Sequence, residues 1–119
     1  MDLYQQNILD HYKNPRCFGK LDKFTHYGKA AIVSCGDDIE IFARIEKDKI
    51  IDISWQGHGC VLSQAMASII CEEIEGKNIS EIKKITPEFV IAKLGATPGP
   101  NRFNCAWLSV NSLNKIKPV

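Results

Sequence analysis

The sequence predicts an α+β fold: a three-stranded antiparallel sheet with helices packed on one face, in a single domain over residues 1–119. Residues 39–46 alternate apolar and polar as a half-buried strand does, and a second β-rich run follows after the short Lys47-Asp48-Lys49 turn. From residue 60 onward the apolar residues recur instead by threes and fours. Strands that come first and helices that follow imply segregated layers, and 119 residues suffice for one hydrophobic core but not two.

Leu3, Tyr4, Ile8, Leu9 and Tyr12 define an opening amphipathic helix over 3–12, which Asn14-Pro15 ends because a residue before proline avoids the α region. Residues 17–28 have no period and read as a connecting loop. Strand one is expected at 30–34, strand two at 39–46 and strand three at 50–57, the last two forming a hairpin. A helix follows from Cys60 to Glu75, stopped by Gly76, and a short one near Ser80–Ile85. Thr86-Pro87-Glu88 reads as an N-cap with proline at the first helical position of a helix reaching Leu94. The Gly95–Asn101 stretch is expected as a loop, and Phe103, Trp107, Val110 and Leu113 mark a last helix opening near Cys105.

Fifteen basic and fourteen acidic residues nearly cancel, which argues against a nucleic-acid footprint. The polar start Met1-Asp2-Leu3-Tyr4-Gln5-Gln6 is unlike a secretory leader, and no segment is long enough to span a membrane. The five cysteines are an odd number in a chain that needs no staples, so a reducing cytoplasm is expected rather than a disulfide framework.

Three cysteines sit in turn-like surroundings: Cys35 in Ser34-Cys35-Gly36-Asp37, Cys60 in Gly57-His58-Gly59-Cys60, and Cys105 after Asn101-Arg102-Phe103-Asn104. On the predicted map Cys35 leaves strand one, Cys60 follows strand three and Cys105 opens the last helix, so three loops can meet at one end of the domain. Asp37 lies across Gly36 from Cys35, and three thiolates with one carboxylate make four ligands. Such a set suits tetrahedral zinc or the terminal positions of a [2Fe-2S] cluster, and an oxygen ligand holds a cluster less firmly. Asp37 capping its own turn is the plainer alternative. Cys60, expected at a helix N-terminus, is the best candidate for a reactive thiolate, with His58 either tuning it or standing in an exposed loop. Arg102 can face a thiolate or a partner's acid, or remain a solvated loop residue. Cys71 is expected in the core among Ile69, Ile70 and Ile74, Cys17 as a spare thiol, and His11 and His26 as packing or surface residues.

With those residues in view, the chain resembles the U-type iron-sulfur cluster assembly scaffolds, the family of IscU, SufU and the N-terminal domain of NifU. Leu3-Tyr4 through Asp10-His11-Tyr12-Lys13-Asn14-Pro15-Arg16 is similar to the family's opening signature, Cys35-Gly36-Asp37 to its first ligand loop and Gly57-His58-Gly59-Cys60 to its second. The resemblance implies a scaffold that takes sulfur from a cysteine desulfurase, binds iron, builds a [2Fe-2S] cluster and passes it to apo acceptor proteins, with zinc in the cluster-free form. It implies Cys35, Asp37, Cys60 and Cys105 as the ligand set. Cys105 is the implied persulfide acceptor in the IscU branch, and Cys35 in the SufU branch. A homo-oligomer around a shared cluster is compatible with the resemblance but not required by it.

The third motif departs from the IscU pattern, with Asn104 where a histidine precedes the last cysteine. Pro98-Gly99-Pro100-Asn101-Arg102 replaces the Leu-Pro-Pro-Val-Lys stretch that a dedicated chaperone recognises, so that partner does not carry over. Pro100 and Arg102 match SufU, whose arginine engages its zinc site and desulfurase, yet the SufU insertion between the second and third cysteines is absent. A zinc-dependent sulfur transferase is therefore the second function that the resemblance implies.

Overall fold

The computed structural model describes residues 3–119; Met1 and Asp2, and the side chains of Leu3 and Tyr4 that contributed to the helical period, lie outside the described part. The elements run α1 (Leu3–Lys13), β1 (His26–Ile32), β2 (Asp37–Glu46), β3 (Lys49–His58), α2 (Val61–Ile74), a 3₁₀ helix (Ile79–Lys84), α3 (Pro87–Leu94), α4 (Pro100–Asn114) and β4 (Lys117–Pro118). The strands form one antiparallel sheet in the order β3-β2-β1-β4.

The sheet has four strands rather than the expected three. Lys117 and Pro118 pair with Tyr27 and His26, and Val119 N–H donates to Thr25 O at 3.0 Å. Two residues carry no readable period, so this strand exists only because β1 offers an open edge. The same need explains the second correction, at residues 17–28. Gly19 N–H donates to Trp55 O and Trp55 N–H to Cys17 O, which covers the free edge of β3. The segment then carries Phe24 against Phe42 and enters β1 at His26, four residues before the expected start.

The β2–β3 hairpin follows the reading closely, with Ile41 opposite Trp55 and Ala43 opposite Ile53, all buried. Alternation turns Ile39, Ile41 and Ala43 toward the helices, where α2 lies against β3 and α4 against β1 and β2. Each large side chain so buried contributes about 2–3 kcal/mol. Ser112 of α4 donates to Ile39 O at 2.8 Å, tying that helix to the central strand.

α3 has the predicted ends, with Thr86 Oγ1 accepting from Phe89 N–H and Gly95 closing the helix in the left-handed region at φ 75°. α4 does not. It begins at Pro100 with Gly99 as N-cap, so Cys105 lies more than a turn inside the helix instead of opening it. The Pro-Gly-Pro run reads as a loop, but Pro100 at the first helical position forfeits no hydrogen bond. None of the described helices is long and apolar enough to cross a membrane.

The opening signature docks α1 onto α2. Arg16 N–H donates to Ser68 Oγ at 2.8 Å, Ser68 Oγ lies 2.8 Å from Nδ1 of the buried His11, and Trp55 Nε1–H donates to Arg16 O at 2.9 Å. Burial, then the Arg16 charge, hold His11 below its ordinary value despite Glu72 3.9 Å away. The unfolded chain therefore binds the extra proton first, and stability is full above about pH 6.5 and falls as pH drops below it. Denaturant midpoints measured at about pH 7.5 and about pH 5.5 should show this loss in the native chain and lose it in His11→Asn. A native midpoint that does not move over that interval contradicts a buried neutral His11.

Candidate metal or cluster site

Residues 33–36 turn the chain from β1 into β2. Cys35 and Gly36 both donate N–H to Ile32 O, at 3.3 and 3.0 Å, and Gly36 takes φ 76°, a conformation that costs glycine little. Cys35 is left exposed at the tip. Asp37 and Asp38 then alternate. Asp38 accepts from His58 N–H at 2.9 Å and faces Lys29, while Asp37, 5% exposed, turns to the other side of the strand.

Asp37 meets the start of α2. Cys60 is the N-cap residue of that helix, with extended backbone and no side-chain cap bond of its own. The missing cap comes from a different element: Asp37 Oδ2 accepts from Cys60 N–H at 3.3 Å and from Ser63 Oγ–H at 2.7 Å. A carboxylate there also faces the positive end of the helix dipole. Burial opposes its charge, but the bonds from Ser63 and Cys60 outweigh burial and hold Asp37 below the usual carboxylate range. Gly59 makes room for it, since a Cβ at that position would stand 2.7 Å from Asp37 Cγ.

Cys105 approaches from α4, half-buried, and Ser63 Oγ lies 3.2 Å from its carbonyl oxygen. One ligand atom from each of Cys35, Asp37 and Cys105 falls within 4.8 Å of the others, a spacing that one ion or one cluster edge can bridge. Cys60 is not in that set; its exposed Sγ borders it, 3.6 Å from Ser63 Oγ. Burial, then the Cys60 thiol, then the charges of Asp37 and Cys35 push the Cys105 thiol up to about 12. Those surroundings disfavour a further negative charge on Cys105, and a bound cation inverts that preference.

Arg102 is exposed in the first turn of α4 and makes no ion pair among the described residues. With Asn101, Val61 and Leu62 it lines a recess of about 360 Å³ that also contains Cys60 and Cys105. The other candidates stand apart. His58, its side chain 88% exposed, pairs with Asp38 at 3.2 Å. His26 contacts Thr25, and His11 packs on Ser68. Cys71 is fully buried with its thiol pushed well above the ordinary value, as a core cysteine should be. Cys17 is raised to about 11 by burial and by Glu75. Sequence reading overlooked Ser63. Its signal was a serine at the third helical position after Cys60, where its hydroxyl can turn back toward an incoming acid.

Residues 3–116 match the family model of the NifU-like N terminal domain. The chain is 32% identical to the iron-sulfur cluster assembly scaffold protein IscU 1 of Archaeoglobus fulgidus, over 95% of this chain and 73% of that protein. It is 31% identical to the zinc-dependent sulfurtransferase SufU of Bacillus subtilis, over 95% of this chain and 88% of that protein. Among solved structures, one described as a candidate iron-sulfur cluster assembly scaffold protein for the SUF system, from Fervidobacterium islandicum AW-1, shares the fold. That match has a TM-score of 0.81 at 26% identity and covers 92% of each chain. With a family match running from residue 3 to residue 116 and relatives above 30% identity along 95% of its length, the chain belongs to the NifU-like N-terminal domain family, the U-type scaffold family of IscU and SufU.

Proposed function

We propose that the protein is an assembly scaffold, not an enzyme, which receives sulfur from a cysteine desulfurase, binds iron, builds a [2Fe-2S] cluster on Cys35, Asp37, Cys60 and Cys105, and passes it to apo acceptor proteins. The observation that carries the reading is the convergence of Cys35, Asp37 and Cys105 within 4.8 Å, with Cys60 beside them on the N-cap of α2. Five free cysteines suit work in a reducing compartment such as the cytoplasm.

Sulfur arrives by exchange. A scaffold thiolate attacks the outer sulfur of the desulfurase persulfide, a new S–S bond forms on the scaffold, and the desulfurase cysteine leaves as a thiolate. The exposure of Cys35 favours it as first acceptor, whereas Cys105 is half-buried inside α4. Two ferrous ions and two sulfane sulfurs must take up two further electrons to give the oxidised cluster, so a reductant is required. Asp37, an oxygen donor among sulfurs, is the ligand that gives way on transfer.

A zinc-dependent sulfur transferase of SufU type is the second reading. The observation that favours it is Arg102, without an ion-pair partner among the described residues, in the same recess as Cys60 and Cys105. Zinc would take the same four ligands, and Arg102 would meet an acidic group of the docked desulfurase.

Anaerobic reconstitution with ferrous iron, cysteine, a desulfurase and dithiothreitol as reductant separates the two. The visible absorption of a [2Fe-2S] cluster should rise in the native chain and fail in Cys105→Ala. If zinc stays bound, no cluster forms and the desulfurase still turns over faster, the transferase reading holds instead. Asp37→Ala should lengthen the lifetime of a formed cluster in the presence of an apo acceptor; an unchanged or shorter lifetime removes Asp37 from the labile role. Gly59→Ala should displace the Asp37 carboxylate and cut zinc affinity by roughly tenfold or more with the fold retained, read by competition against a chromophoric chelator and by circular dichroism.

A further inference from the structure

We propose that Ser63 is the positioning residue that keeps Asp37 a releasable ligand: its hydroxyl holds one carboxylate oxygen back, so that Asp37 binds a metal or cluster through the other oxygen alone. The inference rests on the reading above that Asp37 is a ligand. Ser63 is fully buried in the first turn of α2, with Oγ 2.7 Å from Asp37 Oδ2, 3.2 Å from Cys105 O and 3.6 Å from Cys60 Sγ. A hydroxyl has one hydrogen, and both neighbouring oxygens are acceptors. The shorter, charge-assisted bond to Asp37 takes it.

Oδ2 also accepts from Cys60 N–H, so both of these donors are on Oδ2 and neither is on Oδ1. The carboxylate is thereby divided into a held oxygen and a presented one. Two-oxygen ligation would require breaking the 2.7 Å bond from Ser63. Hydrogen bonds to a carboxylate also draw charge from it and stabilise the anion once it has left the metal, so Asp37 departs into a position already provided with donors. Ser63 acts through Asp37 and itself need touch no ion.

The test uses the full chain loaded with Co²⁺ alone, anaerobically and with thiols reduced. The sulfur-to-cobalt charge-transfer band reports thiolate ligation, and its decay in excess EDTA gives the release rate. Ser63→Ala should slow release by about tenfold, the factor that loss of one hydrogen bond to a charged group predicts. In an Asp37→Ala background the same substitution should change nothing. Ser63→Thr, which keeps the hydroxyl, should release at the native rate, and circular dichroism should show every variant folded. Release from Ser63→Ala as fast as native or faster overturns the proposal. So does a slowing that persists without Asp37, or one that Ser63→Thr shares, since either points to a general disturbance of the buried helix start. Absence of the sulfur-cobalt band in the native chain rejects the ligand reading itself, a separate failure seen before any rate is measured.

Discussion

The carboxylate of Asp37 is the point on which the site depends. It begins β2, and its Oδ2 closes the open N-terminus of α2 through Cys60 N–H and Ser63 Oγ–H. Ser63 in turn lies against the Cys105 carbonyl of α4. One acidic group therefore links a strand to a helix start, and a second helix packs against the same hydroxyl. The bonds of Asp37 hold the start of β2, next to Cys35, against the helix start that carries Cys60, while the packing of α4 on α2 and the sheet brings Cys105 beside them.

In the proposed role, the arrangement joins stability and function at one residue. A cap from another element satisfies a helix terminus as well as a local one does, but it makes the helix start sensitive to whatever else the carboxylate binds. In the proposed role, an ion that draws on Asp37 would change the charge balance of the first turn of α2. The elements behind the site are held independently of that event. Ile41 and Trp55 pair in the core, Ser112 ties α4 to Ile39, and His11 and Arg16 pin α1 to Ser68. A firm frame with an adaptable edge suits the proposed role, in which a cargo is held and then given up.

The sequence reading followed local rules well where local physics decides the outcome. The alternation of residues 39–46 and the short turn yielded the β2–β3 hairpin, and Thr86 with Gly95 marked both ends of α3. It failed where the partner strand or helix decides. Lys117 and Pro118 become β4 only because β1 has an open edge, and the 17–19 segment is ordered by the backbone of Trp55. Pro100 starts α4 inside a run whose composition resembles a loop, which moved Cys105 from a helix end to a helix interior. The site residues were legible as types and turns, since thiols beside glycines stand out in any chain. The reading did not separate Cys60 from the tighter group of Cys35, Asp37 and Cys105, because that difference is one of ångströms between side chains on separate elements.

What the sequence by itself determined is the inventory: the α+β class, the hairpin, the capped helix α3, and the thiol and carboxylate groups available for a soft cation. Those follow from periodicity and from the chemistry of single side chains, both encoded within a few residues. Tertiary structure alone decided that Asp37 caps α2, that Ser63 holds one of its oxygens, and that Arg102 shares a recess with Cys60 and Cys105. The contacts of Asp37 with Cys60 and Ser63, and the approach of Arg102 to Cys60, join residues more than twenty positions apart, and their geometry exists only once sheet and helices have packed.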